Sequence, residues 1–349
     1  MNKEEVIQKL RDAGLFGKGG ASFPTADKWQ GVSEAEGDVK YIIVNSSEGE
    51  MGLFKDLYIW RNHMDMVFKG IDYAIEFLDK NVEVYIHINQ DYLNELQPQL
   101  FKYINNYKWS GIKFHISIEN PSYIGGEASA LMNIIETGVA QPKPRIHRTV
   151  VKGLFEKPTM MNNVETFYDI ARVLDGNWDF GRFTGVFGDG FSSNFGRQKV
   201  VVRHRNDESI YGVLKNNDLL PDFDFYVQVG GSASGPVYNS NQLNDNIITG
   251  AGSIEIFDKN KRNFLTFIKR LGAFYEKESC GKCLGHKFAT ELNDLIKTFE
   301  TEQNVIDNIQ NMLVHINNMN KKTFCKLCKS FKTPFVTYCK NVLNIEVEE

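Results

Sequence analysis

The apolar positions of this chain change period along its length, and each change marks an element. Val6, Ile7 and Leu10 share one face at helical spacing, which predicts a helix over Glu4–Ala13. Lys40–Val44 is a short apolar run, read as a buried strand, and it empties into the polar loop Asn45–Glu50. Met64, Val67, Phe68, Ile71, Ile75 and Leu78 then predict a helix over 64–78. Val82–Ile88 follows as a strand, Tyr92–Ile104 as a helix interrupted near Pro98, and Ile112–Ile118 as a third strand. Strands alternating with helices through connections this long imply right-handed parallel crossovers. Ligands of such sheets bind beyond the carboxyl ends of the strands. Two loops leave from those ends, Asn45–Glu50 and Tyr123–Glu127, and the second opens a helix over Ala128–Thr137.

Further on, Val164, Phe167, Ile170 and Leu174 line one side of a helix that Asn162 or Asn163 is placed to cap. Lys199–Val202, Phe225–Gly230 and Ser253–Phe257 read as strands, with a short helix over Glu208–Leu214 and a glycine-rich GGSASGPVY segment among them. The rest is helical in period over 264–273, 286–299 and 302–319, then mixed over 323–343 with a break at Pro334. The fold class expected is therefore α/β followed by α.

Composition narrows the function. The chain has 349 residues, enough for two or three domains with a large core. It is 42% hydrophobic and 24% charged, ordinary values for a globular protein. A net charge of -4 argues against non-specific nucleic-acid binding, which needs a basic face. No apolar run approaches the roughly 20 residues that span a bilayer, so no direct membrane insertion is expected. Five cysteines without a secretory leader point to a reducing cytoplasm and to metal or redox use.

The cysteines are grouped. Cys280 and Cys283 flank a glycine turn, His286 follows, and Cys325 and Cys328 form a second pair. A turn of that kind lets two thiolates converge on one centre, and four such ligands suit zinc or an iron–sulfur cluster alike. Buried thiols serving only as core residues are the bland alternative. Near the N-terminus, GLFGKGGASFPT places four glycines and a lysine where backbone N–H groups can face an anion, although the spacing matches neither the Rossmann nor the P-loop pattern. The Asn162–Asn163 pair can cap a helix or hydrogen-bond a heterocycle or phosphate. His87 and His115 lie on strand patterns and are read as core or edge residues.

Five stretches together carry a resemblance: GLFGKGGASFPTADKW, NSSEGEMGLFKD, YIGGEASAL, GLFEKPTMMNNVET and ESCGKC. In this order they resemble the FMN-binding 51 kDa-type subunit of NADH:quinone oxidoreductase, the electron-input subunit of respiratory complex I, over nearly the whole chain. The resemblance implies a Rossmann-like parallel α/β flavin domain (1–190), a ubiquitin-like β-grasp domain of the SLBB type (191–259) and a helical bundle with an iron–sulfur site (260–349). It implies flavin contacts at Gly17, Gly19, Gly20, Lys28, Asn45, Glu48, Gly126, Glu127, Asn162 and Asn163. Phe23 and Glu50 would meet the nicotinamide of NADH. Cys280, Cys283, His286 and Cys325 would hold a [4Fe–4S] cluster, with Cys328 the rival for the fourth position. The implied partners are a thioredoxin-like [2Fe–2S] subunit and a large iron–sulfur subunit, through which the chain would sit at the inner face of the membrane.

The chain also departs from that pattern. His286 stands where the family has cysteine, and a neutral imidazole ligand raises a cluster's potential. Ser47 replaces an acidic residue, Ala128 a second glutamate, and Gly31 and Arg148 stand at aromatic positions of the nucleotide pocket. Pro144–Arg148 replaces an apolar segment with a basic one, which suits an acidic donor such as ferredoxin or flavodoxin in place of NADH. A non-catalytic scaffold subunit is the third reading, against which the retained glycines and Glu48, Asn162 and Asn163 speak.

Overall fold

The structure is a computed structural model that describes residues 1–79, 81–106, 111–119, 122–144, 146–190, 199–324 and 326–347. The chain divides into two units, one of residues 1–49 and 54–182, the other of residues 50–53 and 183–349.

The first unit is built on a parallel sheet. It opens with α1 (Lys3–Asp12), which Asn2 and Glu5 close with a capping box, and α2 (Thr25–Glu34). Strand β1 (Lys40–Ser46) leads to α3 (Lys55–Leu78), β2 (Val82–Asn89), α4 (Gln90–Asn105), β3 (Lys113–Glu119) and α5 (Ala128–Thr137). Strand β4 (Thr159–Asn163) and α6 (Val164–Leu174) complete it. The strand order is β3-β2-β1-β4 and every pairing is parallel. From β1 the chain goes first to one side, through β2 and β3, and then returns to the other side as β4. The carboxyl ends of β1 and β4 therefore flank a topological switch point, where sheets of this kind open a crevice.

Three differences from the sequence reading have physical reasons. Strand β4 is a fourth strand that its residues, Thr-Met-Met-Asn-Asn, do not announce by alternation; it is fixed by pairing with β1, Val44 opposite Asn162 and Asn45 opposite Asn163. Helix α4 runs through Pro98 without interruption, because its amphipathic face buries Leu93, Leu96 and Leu100 and this packing outweighs the lost backbone bond. Helix α3 begins at Lys55, well before the apolar repeat, and bends at His63, whose φ of -143° is not helical.

The second unit holds β5 (Gly181–Gly188, which starts in the first), β6 (Val200–Arg205), α7 (Ile210–Asn216), β7 (Phe225–Val229), β8 (Val237–Asn239) and β9 (Ser253–Asp258). Their order is β6-β5-β9-β7-β8, with β5 and β9 parallel and β7 antiparallel to both β8 and β9. The core under this sheet includes Val186, Val213, Leu214, Val227, Ile254 and Ile256. Helices α8 (Phe264–Glu278), α9 (Leu284–Lys297), α10 (Glu302–Asp307), α11 (Ile309–Lys322), α12 (Lys326–Ser330) and α13 (Lys332–Asn341) follow. The single helix expected over 302–319 is two, broken at Asn308, whose φ of -106° and ψ of 10° leave the helical region. Pro334 lies in the first turn of α13 and breaks nothing, since an N–H there has no helical partner to lose. Among the described residues no helix is long and apolar enough to cross a membrane.

Candidate functional site

At the switch point the sheet delivers three amides side by side. Asn45 is near the end of β1, and Asn162 and Asn163 end β4. Asn163 caps α6 through its Oδ1, which accepts from Glu165 N at 3.0 Å, so the capping role read from sequence is real. Its Nδ2 donates to Asp56 Oδ2 at 2.6 Å. Asn45 Nδ2 donates to the carbonyl of Gly126 at 3.1 Å, joining the end of β1 to the loop before α5.

Lys28, on α2, reaches the same point. Its ammonium donates to Met161 O at 2.6 Å and to Asn162 Oδ1 at 2.8 Å. Burial of the ammonium pulls the Lys28 pKa down to about 8. Because an ammonium only donates, the Asn162 oxygen must face it, and the amide nitrogen is turned the other way. That nitrogen is buried and has no hydrogen-bond partner among the described residues. A buried donor left unpaired costs about 1–3 kcal/mol, so this atom asks for an acceptor.

The glycine loop lies on the same junction. Gly17 N donates to Phe23 O at 2.9 Å, closing residues 17–23 into a turn. Gly20 takes a φ of +95°, a conformation L-residues avoid. Gly19 sits against Asn163: a methyl on it would be 3.3 Å from the Asn163 Cβ. The loop's lysine is turned inward, with Lys18 N donating to Thr166 Oγ1 at 3.0 Å and its Nζ to Gly181 O at 3.5 Å. Phe23 remains 39% exposed. Gly17, Gly19, Gly20, Lys28, Asn45, Gly126, Asn162 and Asn163 thus gather about the carboxyl ends of β1 and β4.

The two glutamates of the expected flavin set are committed to helix ends. Glu48 caps α3, accepting from Lys55 N at 2.9 Å and Asp56 N at 3.0 Å, and from Tyr92 OH at 2.8 Å. Burial, reinforced by the Asp56 charge, pushes its carboxyl up to about 8. Glu127 caps α5 by accepting from Ser129 N at 2.8 Å and Ala130 N at 3.1 Å. Glu50 belongs to the second unit, where its carboxylate accepts from Ala233 N at 3.1 Å.

Beneath the site lies a charge network that sequence reading missed. Lys55 Nζ lies 2.5 Å from Asp56 Oδ1 and 3.3 Å from Glu165 Oε2, and donates to Asn163 Oδ1 at 3.3 Å. All of it is buried, and it holds Asn163 from below. The one signal was a Lys-Asp pair directly after the NSSEGEMGLF loop. Ser47, which stands for an acid in the family, donates to Glu119 through a short hydrogen bond. Glu119 Oε2 in turn lies 3.3 Å from His87 Nε2. His87 and His115 are, as expected, strand residues; His115 Nε2 is 2.9 Å from Glu83.

The cysteine site lies in the helical part of the second unit. Cys283 is the N-cap residue of α9 and makes no capping hydrogen bond with its side chain. Cys328, on α12, is 1% exposed. Both sulfurs point at Gly285, where a methyl would lie 2.4 Å from Cys328 Sγ and 3.2 Å from Cys283 Sγ. His286 Nδ1 is 2.5 Å from Ser279 Oγ. Cys280 is partly buried. Cys325 and Arg145 lie outside the described residues. No three described residues close on a single ion. The donors are of the right kind for an iron–sulfur cluster, with soft thiolates at a helix N-terminus. Cys339 is buried in α13, and burial pushes its thiol up to about 12.

A family profile described as the Nuo51 FMN-binding domain matches residues 10–172, and one described as the NADH-ubiquinone oxidoreductase-F iron-sulfur binding region matches residues 266–343. The F-type subunit of the NADH-quinone oxidoreductase of Streptomyces coelicolor is 24% identical over 97% of this chain and 82% of its own length. The alpha subunit of the NAD-reducing hydrogenase HoxS of Cupriavidus necator is 29% identical over 81% of this chain, but over only 50% of its own. Among solved structures, a chain of an NAD+-reducing [NiFe]-hydrogenase in the H2-reduced state superposes with a TM-score of 0.83 at 22% identity. All of this chain is covered, and 64% of that one, so the likeness fixes the fold. With the glycine loop and the three amides of the switch point inside one profile and the paired thiols of the helices inside the other, the chain belongs to the family of FMN-binding 51 kDa-type subunits of NADH:quinone oxidoreductase, as a divergent member.

Proposed function

We propose that this chain is the electron-input flavoprotein subunit of a complex I-like NADH:quinone oxidoreductase. The observation that carries the reading is the unpaired, buried Nδ2 of Asn162, oriented by Lys28 at the switch point of a parallel sheet. The cradle accounts for FMN without a large positive charge. Backbone N–H groups of Gly19 and Gly20 and the Nδ2 of Asn162 would hold it, Asn45 and Asn163 would shape the cradle through their bonds to Gly126 and Asp56, and the Lys28 ammonium would favour the anion of its reduced ring. Bound there, FMN would supply the chemistry the side chains lack, namely acceptance of a hydride from NADH and release of single electrons toward a [4Fe–4S] cluster. Glu48 and Glu127 would act at the flavin by fixing the starts of α3 and α5, and Phe23 is exposed enough to cover a nicotinamide. Glu50 as an NADH contact is the weakest member of the set, since its carboxylate is engaged by Ala233.

In this reading the cluster ligands come from Cys280, Cys283, His286, Cys325 and Cys328. Strands β6, β7, β8 and β9 with α7 would serve as the β-grasp domain, within divisions at 1–190, 191–259 and 260–349, and β5 would join their sheet from the first division. The partners would be a thioredoxin-like [2Fe–2S] subunit and a large iron–sulfur subunit, with the chain at the cytoplasmic face of a membrane that those partners reach. A second donor class, ferredoxin or flavodoxin, is favoured by the exposed Lys326 and Lys329, which flank Cys328 in the sequence of α12 and would attract an acidic carrier.

The test is FMN affinity. Asn162→Ala should weaken FMN binding about 2- to 12-fold, the worth of one hydrogen bond. Wild-type affinity in that variant, or no FMN binding by the parent chain, overturns the reading.

A further inference from the structure

We propose that Cys328, and not His286, is a ligand of the iron–sulfur cluster, so that the chain has moved a thiolate to α12 to replace the one missing from α9. The inference rests on the cluster assignment above and adds to it the identity of one ligand.

Three features of the second unit point to Cys328. Its sulfur is buried yet lies beside that of Cys283, the two meeting over Gly285 in the first turn of α9. Any side chain at 285 would displace a sulfur, since even a methyl would be 2.4 Å from Cys328 Sγ. A glycine kept clear between two thiols is costly in a helix, about 1 kcal/mol relative to alanine, and returns nothing unless the sulfurs need the space. Finally, α9 is 14 residues long and starts at these sulfurs, so the unpaired N–H groups of its first turn favour negative charge there. A reduced iron–sulfur cluster on thiolates is such a charge.

His286 is placed differently. Its Nδ1 is bonded to Ser279 Oγ at 2.5 Å, on the α8 side of the turn. A ligating histidine also bonds through its second nitrogen, so this contact does not by itself remove His286. The sulfur pair does, because Cys328 already fills the place beside Cys283 and thiolate is the ordinary ligand of iron in such clusters. His286 then acts as a positioning residue that pins the turn carrying Cys280 and Cys283 through Ser279. A purely packing role for Cys328 makes the opposite forecast, as serine would replace it with no effect on iron.

The experiment uses the full chain, reconstituted without oxygen with ferrous iron and sulfide, and reads iron and acid-labile sulfide per chain, the EPR spectrum of the reduced protein, and nitrogen hyperfine coupling by pulsed EPR. The wild type should show a four-iron signal with no directly coordinated nitrogen. Cys328→Ser should lose the four-iron signal and hold iron more than about a hundredfold more weakly, beyond the 10- to 100-fold that loss of an outer-shell partner costs, while His286→Ala keeps the form of the wild-type signal. Cys339→Ser serves as the thiol control, and far-ultraviolet circular dichroism reports whether each variant keeps its helices. The nitrogen measurement needs no variant at all. The proposal is overturned if Cys328→Ser keeps its iron and its spectrum, or if the wild type shows a strong nitrogen coupling that His286→Ala abolishes. A wild type that holds no cluster sinks the cluster assignment itself, a result distinct from either.

Discussion

Replacing Lys55 by methionine roughly keeps the volume of the side chain and removes its charge from beneath Asn163 and the proposed flavin cradle. In the folded protein burial disfavours the ammonium, but the charges of Asp56 and Glu165 more than compensate and hold its pKa above the ordinary lysine value. Lys55 and Asp56 are each 3% exposed and Glu165 is fully buried, so water cannot take over for the missing partner. Removing one member of such a buried pair costs about 3–5 kcal/mol, most of it the penalty of the carboxylates left behind. For a unit of this size 1 kcal/mol shifts the melting temperature by roughly 2–4 °C, so Lys55→Met should lower it by about 6–20 °C. All four tryptophans precede residue 182, and tryptophan fluorescence during heating or urea unfolding therefore follows the first unit. The double variant Lys55→Met/Glu165→Gln should recover part of the loss, with a coupling of about 0.5–3 kcal/mol. A single variant that loses less than about 1 kcal/mol, or a double variant whose losses simply add, refutes the assignment of this network as the support of Asn163.

Two predictions concern pH. A carboxyl raised to about 8 in the folded state binds its proton more tightly there than in the unfolded chain, so Glu48 contributes stability that is lost as pH rises from the ordinary carboxylate range through about 8. The unfolding free energy of the first unit in urea should be smaller at about pH 8 than at about pH 5, by up to roughly 1.4 kcal/mol per pH unit, and Glu48→Gln should flatten that slope. Lys28, lowered to about 8, carries its charge below that pH and loses it above, so affinity for the FMN dianion should fall as pH rises through 8. Lys28→Met should bind FMN more weakly and remove this component of the pH dependence; an unchanged profile by fluorescence titration contradicts it.

How much of this was legible in the sequence depended on whether a residue's partner was local. The helix over Ala128–Thr137 and the cap at Asn163 were read correctly because spacing and capping act within a few residues. Strand β4 was not, because Thr-Met-Met-Asn-Asn is a strand only by virtue of β1, which precedes it by more than a hundred residues. The same distance hid the Lys55–Glu165 pair, and a shorter one hid the meeting of Cys283 with Cys328. Glycine and asparagine positions were singled out through resemblance to a family, whereas their geometry became visible only with the switch point between β1 and β4. Pro98 misled in the other direction: a local rule broke the helix, and Leu93, Leu96 and Leu100 kept it whole.

The most direct test of electron entry through this chain is anaerobic addition of NADH to the FMN- and iron-reconstituted protein, with the visible spectrum and low-temperature EPR recorded together. The flavin absorbance should bleach, and a reduced [4Fe–4S] signal should appear in the same sample. A reconstituted chain that stays colourless, or one whose flavin bleaches while its cluster remains oxidised, contradicts the proposed relay.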